Sequence, residues 1–300
     1  MLDFRVETFL AVCRHMNFTK AARELNITQP AVSHHIHYLE QTYGTALFQH
    51  NGKRLQLTEA GEILRRTLLT MKHDEQHLQK RMQQAASGTR DYSFGATLSV
   101  AEFMINEALG RFLQLHPDSH IQMQVADTKV LLSKLDSGEL DFAVVEGDFP
   151  KAEYDFFVFG TEEYVAAGDP EKAARYRGRR LTDLLVEPLL LREEGSGTRV
   201  ILEYYLKEHG LAAADFARTV EIGNIGAIKT LLKSGYGVSF LYRAAIRPEE
   251  AAGTLGVIEL SDFRLRHDIM FLFPKNSNFR ADYTAIFREL RACTEETGGA

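Results

Sequence analysis

Cysteine and long apolar runs are scarce in this 300-residue sequence. Only Cys13 and Cys293 occur, one near each end, so neither a disulfide framework nor a cysteine-based zinc cluster is expected. No stretch of about 18 uncharged apolar residues is found, and residues 1–5 lack the basic segment and apolar run of an export signal. We therefore expect a cytoplasmic protein that has no membrane partner.

Catalytic signatures are also missing. The sequence contains no Ser/His/Asp order, no zinc-ligand spacing and no Walker-type loop, and five of its eleven histidines lie between His15 and His50. Glycine-rich turns and paired glutamates leave a transferase as the alternative enzyme class. These features argue against an enzyme and give no reason to expect a metal or a cofactor.

The overall charge of −6 hides an uneven distribution. Residues 1–90 hold 12 Lys and Arg against 8 Asp and Glu, a net of +4, whereas residues 91–300 hold 23 against 33, a net of −10. Because basic surfaces attract nucleic acid, we expect DNA to contact only the N-terminal part of the chain.

The N-terminal segment 1–58 has the pattern of three short helices followed by a hairpin. In the third helix Val32, Ile36 and Leu39 recur at i, i+4 and i+7, which places them on one buried face. Asn51-Gly52 is a strong signal for a two-residue hairpin turn between strands at 46–49 and 54–57. The order predicts a winged helix-turn-helix.

The third helix also carries the candidate base-reading residues. If its apolar face is buried, the residues that project outward at or near its start are Gln29, Pro30, Ser33, His34 and His37. Lys53 and Arg54, beside the hairpin turn, are suited to a phosphate backbone or a minor groove. The alternative is a three-helix protein-binding module whose exposed polar residues are merely solvated.

Residues 59–87 are predicted to form one long linker helix, capped by Thr58 and ending at a hinge over 87–90. Polar residues occupy nearly every other position, so we expect its apolar seam to pair with a second chain. The alternative is packing onto its own domain. The seam alternates steps of four and three: Leu64, Leu68, Met71, Glu75, Leu78, Met82 and Ala85.

From residue 88 to 300 strands and helices alternate, which is typical of parallel strands with crossover helices. The length suits two small lobes, lobe I at 91–160 and 267–300 and lobe II at 161–266. In lobe I the pattern predicts a single helix over 101–115. A solute-binding transport receptor would share this body, but it should carry an export signal and no winged head.

Ligands of such sheets bind beyond the carboxyl ends of the strands. Hydroxyl residues stand there ahead of helices, and Glu146 and Glu193 would either repel an anion or accept bonds from a ligand's hydroxyl or amino groups. The segment Arg192-Glu193-Glu194-Gly195-Ser196-Gly197-Thr198-Arg199 is suited to a phosphate or carboxylate, although such a turn is also often structural. The candidate hydroxyls are Thr97, Ser99, Thr128, Ser196 and Thr198.

Several blocks between Phe18 and Gly61 resemble the signature of LysR-type transcriptional regulators. The blocks are Phe18-Thr19-Lys20-Ala21-Ala22-Arg23-Glu24-Leu25, Thr28-Gln29-Pro30-Ala31-Val32-Ser33, Leu39-Glu40, Gly44, Leu47-Phe48 and Leu57-Thr58-Glu59-Ala60-Gly61. The sequence departs from the family pattern where arginine is usual, at His50 and at His35 and His37. By the resemblance, the DNA contacts are Thr19, Gln29, Pro30, Ser33, His34, His35, Lys53 and Arg54.

The resemblance extends to the remaining chain, where Asn224 and the segment 225–239 match the second lobe. It implies an N-terminal winged helix-turn-helix (1–58, mainly α), a dimerising helix (59–87) and a two-lobed α/β effector domain of the periplasmic-binding-protein-like type (88–300). It further implies a transcription regulator controlled by a small polar, anionic metabolite between the lobes, with Asn224 among its contacts. The implied partners are double-stranded promoter DNA, this effector, RNA polymerase, and further copies in a homodimer or homotetramer. A redox switch like that of the family's peroxide sensors would need two cysteines in the body, which holds only Cys293.

Overall fold

The computed structural model describes residues 3–52 and 54–295, and its N-terminal part, as far as Leu57, forms a winged helix-turn-helix. Asn17 and Thr28 cap the second and third helices through their side chains, and Gly44, with φ at +66°, ends the third. The strand predicted over 46–49 begins at Phe48 instead, because the Leu47 N–H donates to the Glu40 side chain at 2.9 Å and not to the partner strand. The elements are α1 (Phe4–His15), α2 (Phe18–Glu24), α3 (Gln29–Tyr43), β1 (Phe48–Asn51) and β2 (Arg54–Leu57).

The linker helix α4 (Glu59–Ser87) has 29 residues and ends at Gly88, whose φ of +74° is the left-handed conformation that favours glycine. Near its start Leu68 is buried in the core of the winged domain, and Leu64 packs against the same core. Met71, Leu78 and Met82 lie exposed, at 47%, 48% and 66%. The predicted apolar seam is therefore not exposed along its whole length. Its first part packs against the winged domain of the same chain, and its second part is exposed.

A second face of α4 docks onto lobe I through polar side chains. Asp74 accepts hydrogen bonds from Ser277 Oγ at 2.5 Å and from the Asn278 backbone N–H at 2.9 Å. Lys80 lies 2.9 Å from Asp141, a buried carboxylate that also accepts the Ser93 N–H at 2.7 Å. This contact within the chain is made by polar rather than apolar residues, so the apolar pattern of the helix does not indicate it.

The rest of the chain forms one twisted sheet that serves two lobes, with strand order β4-β3-β5-β11-β6-β9-β7-β8 and β10 paired to β6. β3 is parallel to β4 and β5 in lobe I, and β7 is parallel to β8 and β9 in lobe II. The long antiparallel strands β6 and β11 cross from one lobe to the other. The bounds are β3 (Arg90–Ala96), β4 (Ser119–Val125), β5 (Phe142–Val145), β6 (Tyr154–Gly168), β7 (Pro188–Leu191), β8 (Arg218–Glu221), β9 (Val238–Tyr242), β10 (Gly256–Ile258) and β11 (Leu265–Pro274).

Helices cover both faces of this sheet, and each lobe has its own apolar core. The single helix predicted over 101–115 is wrong: two helices meet at Met104 and Ile105, where the chain turns so that Ile105 is fully buried. No glycine or proline marks this break in the sequence. The helices are α5 (Leu98–Phe103), α6 (Asn106–Leu115), α7 (Thr128–Ser137), α8 (Pro170–Arg175), α9 (Gly197–Glu208), α10 (Ile225–Lys233), α11 (Arg247–Ala251) and α12 (Arg280–Glu295), besides three short 3-10 turns.

Candidate DNA-binding face and effector cleft

The exposed side of α3 presents the polar residues that its sequence pattern predicted. Because Val32, Ile36 and Leu39 are buried in the head, Gln29 and His34 are left in solvent. Gln29 Nε2 donates to Ser33 Oγ at 2.9 Å, so the two side chains are held side by side. Amide and hydroxyl groups on one exposed helical face are the groups that read base edges in a major groove.

Other predicted contacts flank this face or lie apart from it. Pro30 is exposed at the start of α3, Thr19 is exposed in the first turn of α2, and Arg54 is exposed at the start of β2, where it pairs with Asn51 across the hairpin. Lys53 lies outside the described residues. The positions of Thr19 and Arg54 allow contacts to phosphates beside the base-reading helix.

His35 packs against α1 instead of lying fully in solvent. Its Nδ1 lies 2.9 Å from Thr8 Oγ1, and its ring meets that of Phe4 edge-on, so the side chain packs against α1. Partial burial, together with the charges of Arg5 and His34, lowers the pKa of His35 below its usual range. The structure thus assigns His35 to helix packing, and His34 and His37 remain on the exposed side of α3.

A cleft of about 290 Å³ opens between the lobes, at the carboxyl ends of β3, β5 and β7. We call it the interlobe cleft. Both lobes contribute to its lining: Thr97, Leu98, Val125, Ala126, Asp127, Glu146, Arg192, Glu193, Glu194, Gly195, Ser196 and Gly197.

Arg192 is the cation of this cleft. It is 4% exposed, and its Nε and Nη2 both donate to the Glu193 carboxylate at 2.7 Å. This bidentate bond lowers the pKa of Glu193. The remaining nitrogen, Nη1, is buried, and no described residue accepts a hydrogen bond from it. A guanidinium nitrogen buried without a partner is energetically costly.

Glu146 faces the same cleft from lobe I and is 3% exposed. Thr97 Oγ1 donates to its carboxyl. Burial raises the pKa of Glu146 to about 7, although Arg192 and the neighbouring bonds act in the opposite direction. The neutral and charged forms of the Glu146 carboxyl group are therefore similar in population near pH 7.

The structure brings some of the predicted effector residues together and separates others. Ser99 Oγ and Thr198 Oγ1 lie 3.2 Å apart, each 1% exposed, so they bond to one another across the lobes. Thr128 lines the groove between α4 and lobe I instead of the cleft, and Asn224 is an exposed cap whose Oδ1 accepts the Ala227 N–H at 2.8 Å. Of the predicted residues, the cleft is lined by Thr97, Glu146, Glu193 and Ser196.

Arg192 was not among the predicted contacts, although it begins the segment that the sequence singled out. A charged residue directly after the apolar run Leu189–Leu191 was the available signal. Its significance depends on burial and on the unpaired nitrogen, which the sequence does not reveal.

Comparison with known proteins agrees with this architecture. Residues 5–62 match the bacterial regulatory helix-turn-helix protein, lysR family, and residues 86–293 match the LysR substrate binding domain. The chain is similar to the RuBisCO operon transcriptional regulator of Acidithiobacillus ferrooxidans, with 28% identity over 97% of this chain and 94% of the relative. Relatives of this kind are transcriptional regulators and not enzymes.

Two solved structures share the fold at low sequence identity. Full-length LysG from Corynebacterium glutamicum with bound effector Arg superposes with a TM-score of 0.62 at 18% identity, covering 99% of both chains. The Synechocystis PCC6803 CcmR regulatory domain in complex with 2-PG gives 0.61 at 20% identity, covering 69% of this chain and 98% of that one. Among the described residues, no helix is long and apolar enough to cross a membrane.

Proposed function

The chain belongs to the LysR family of DNA-binding transcriptional regulators, and from this we propose that its activity on promoter DNA is controlled by a small anionic metabolite bound in the interlobe cleft. The charge of the effector is inferred from one observation: Arg192 lines the cleft, and its buried Nη1 has no acceptor among the residues that the structure describes. An anionic oxygen would satisfy it with a charge-assisted hydrogen bond.

The start of α9 supports the same charge. This 12-residue helix begins at the cleft, and Ser196 makes no side-chain capping bond to it. Its first backbone N–H groups and the positive end of its dipole favour an anion. Two independent features of lobe II therefore favour a negatively charged group.

The fold alone does not fix the effector. CcmR has been solved with 2-PG and LysG with Arg, so one architecture accommodates an anionic and a basic ligand. For this chain the choice rests on Arg192 and α9, and we take 2-PG as a first probe.

We further propose that α3 reads base edges through Gln29 and Ser33 and that two chains pair along the exposed part of α4. Met71, Leu78 and Met82 recur at steps of seven and four on one side of that helix, which suits a coiled-coil partner. Such a dimer, alone or as half of a tetramer, would bring two reading helices to a two-half-site operator in the cytoplasm.

A thermal-shift screen of the full chain tests the anionic effector. We expect 2-PG or another small anion to raise the melting temperature, because a ligand that binds only the folded state stabilises it. Arg192→Gln should abolish the shift. Arg177→Gln, which removes the same charge from an exposed position of lobe II that does not line the cleft, should retain it.

The opposite pattern would reject the proposal. Stabilisation by cationic or neutral compounds alone, or an Arg192→Gln shift equal to that of the unaltered chain, would mean that this arginine does not receive the effector.

A further inference from the structure

Glu146 is a buried acid facing a site that favours anions. It is 3% exposed, and among the residues that the structure describes no Lys, Arg or His forms an ion pair with it; Arg192 directs two nitrogens to Glu193 instead. One carboxyl oxygen of Glu146 accepts from Thr97. The group therefore has no directly bonded cation to compensate a negative charge.

The other oxygen faces the start of α9. A Cβ placed on Gly197 would lie 3.6 Å from Glu146 Oε1, so this oxygen lies beside the first residue of the helix. An anion bound at the α9 start and at Arg192 would lie beside it. A charged Glu146 would then repel that anion in a poorly solvated cleft.

Other charged or titratable groups also face Glu146. Arg192, Glu193 and Glu194 line the cleft from the end of β7, and Asp127 lines it from the start of α7. Burial, and then the nearby charge of Glu146, raises the pKa of Tyr242 on β9. Apart from Arg192 these groups are acidic or neutral, so together they disfavour a negative charge on Glu146.

We propose that Glu146 is protonated when the interlobe cleft is occupied and donates a hydrogen bond from Oε1 to the bound anion, so that effector binding takes up one proton. The inference rests on the proposed anionic effector. It makes Glu146 a determinant of specificity, because a neutral carboxyl can donate a hydrogen bond to an anion that carries no proton.

The sign of the pH dependence follows from the site. Burial already raises the pKa of Glu146 to about 7, and a neighbouring anion raises it further. Affinity should therefore be highest below the pKa of the free protein and fall by up to about tenfold per pH unit above it. An ionised Glu146 that accepts a bond from a ligand hydroxyl or ammonium would give the reverse preference.

Sulfate is the probe that separates the two cases, because it remains a proton-free dianion from about pH 5.5 to about pH 8.5. Any pH dependence of its binding belongs to the protein. We would titrate the full chain with sulfate by calorimetry at the two ends of this range, about pH 5.5 and about pH 8.5. Near pH 8, a second titration in a buffer of different ionisation enthalpy counts the protons taken up.

We expect sulfate affinity to fall at least about tenfold between the two pH values, with uptake approaching one proton. Glu146→Gln keeps a donor but cannot ionise. The sulfate affinity of this variant should therefore differ less than about twofold between the two pH values, and its proton uptake should vanish. Glu203→Gln, which removes an exposed carboxylate of α9 that does not line the cleft, should behave as the unaltered chain does.

Three results would overturn the inference. Equal sulfate affinity at both pH values without proton uptake would leave the anion cleft intact and remove the role of Glu146. Loss of binding at both pH values in Glu146→Gln would assign an acceptor role to the carboxylate. Absence of sulfate binding to the unaltered chain at any pH would reject the anion cleft itself, and the proton-linked role with it.

Discussion

His73 makes the docking of α4 onto lobe I sensitive to acid. Its side chain is 1% exposed, with Nε2 at 2.9 Å from the Leu140 carbonyl oxygen and Nδ1 at 3.4 Å from the Tyr283 hydroxyl. A carbonyl oxygen can only accept, so Nε2 carries the proton and Nδ1 is free to accept from tyrosine. Burial favours this neutral form of the docked ring.

The magnitude follows from the pKa. Burial lowers the pKa of His73 from 6.5 to about 4, so the undocked state binds a proton that the docked state refuses. The contribution to stability is complete above about pH 6.5 and is lost as the pH falls towards 4. Each pKa unit corresponds to about 1.4 kcal/mol, so the full loss is about 3 kcal/mol.

Hydrogen exchange measures this loss locally, which is preferable because unfolding of a multidomain chain is not a single transition. We expect the opening free energy of peptides spanning 70–80 and 138–146 to fall by about 3 kcal/mol between pH 7.5 and pH 4, after correction for intrinsic exchange. His73→Gln retains a donor for Leu140 but cannot be protonated, so most of this fall should disappear. His209→Gln, at an exposed position of lobe II, should leave it unchanged.

An equal loss in His73→Gln would refute the assignment. The acid sensitivity would then have to come from Asp141, whose pKa is lowered despite its burial by bonds from His77, Lys80 and the Ser93 N–H, and which also loses its stabilising charge in acid.

Three further outcomes are expected. Gln29→Ala should lose about 1–3 kcal/mol of discrimination between specific and random DNA, whereas Arg54→Ala should weaken both alike in competition footprinting; equal losses for Gln29→Ala would remove its base-reading role. Met71→Glu with Met82→Glu should give a folded monomer by light scattering, whereas Leu68→Glu should unfold the winged head, because Leu68 is a core residue; a persistent dimer would locate the main interface elsewhere. Ser99→Ala with Thr198→Val breaks the bond between the lobes and should keep operator binding while changing the inducer response in a reporter assay; an unaltered response would make this bond irrelevant to the signal.

Features encoded by neighbouring residues were predicted well. The Asn51-Gly52 turn, the cap at Thr58 and the buried face of α3 depend on short stretches of chain, and the structure contains each of them. The strand Phe142–Val145 is another local feature, since it coincides with a short apolar run of sequence.

Features that depend on distant residues were not predicted. The docking of α4 uses Asp74 against Ser277 and Asn278, which lie near the other end of the chain, and such polar contacts leave no apolar pattern in the helix. Likewise Ser99 and Thr198 each have the sequence of a helix start, and only the fold reveals that they satisfy one another. The buried Nη1 of Arg192 could not be predicted either, because its lack of an acceptor among the described residues depends on how distant parts of the chain pack around it.

The interlobe cleft has to affect DNA binding if it is the regulatory site. We would select duplexes from a random pool with the full chain and footprint the recovered site with and without the anion found by thermal shift. The footprint or affinity should change with the anion for the unaltered chain, remain unchanged for Arg192→Gln, and change normally for Arg177→Gln. An anion response that persists in Arg192→Gln, or that is absent from the unaltered chain although the anion binds, would contradict control through this cleft.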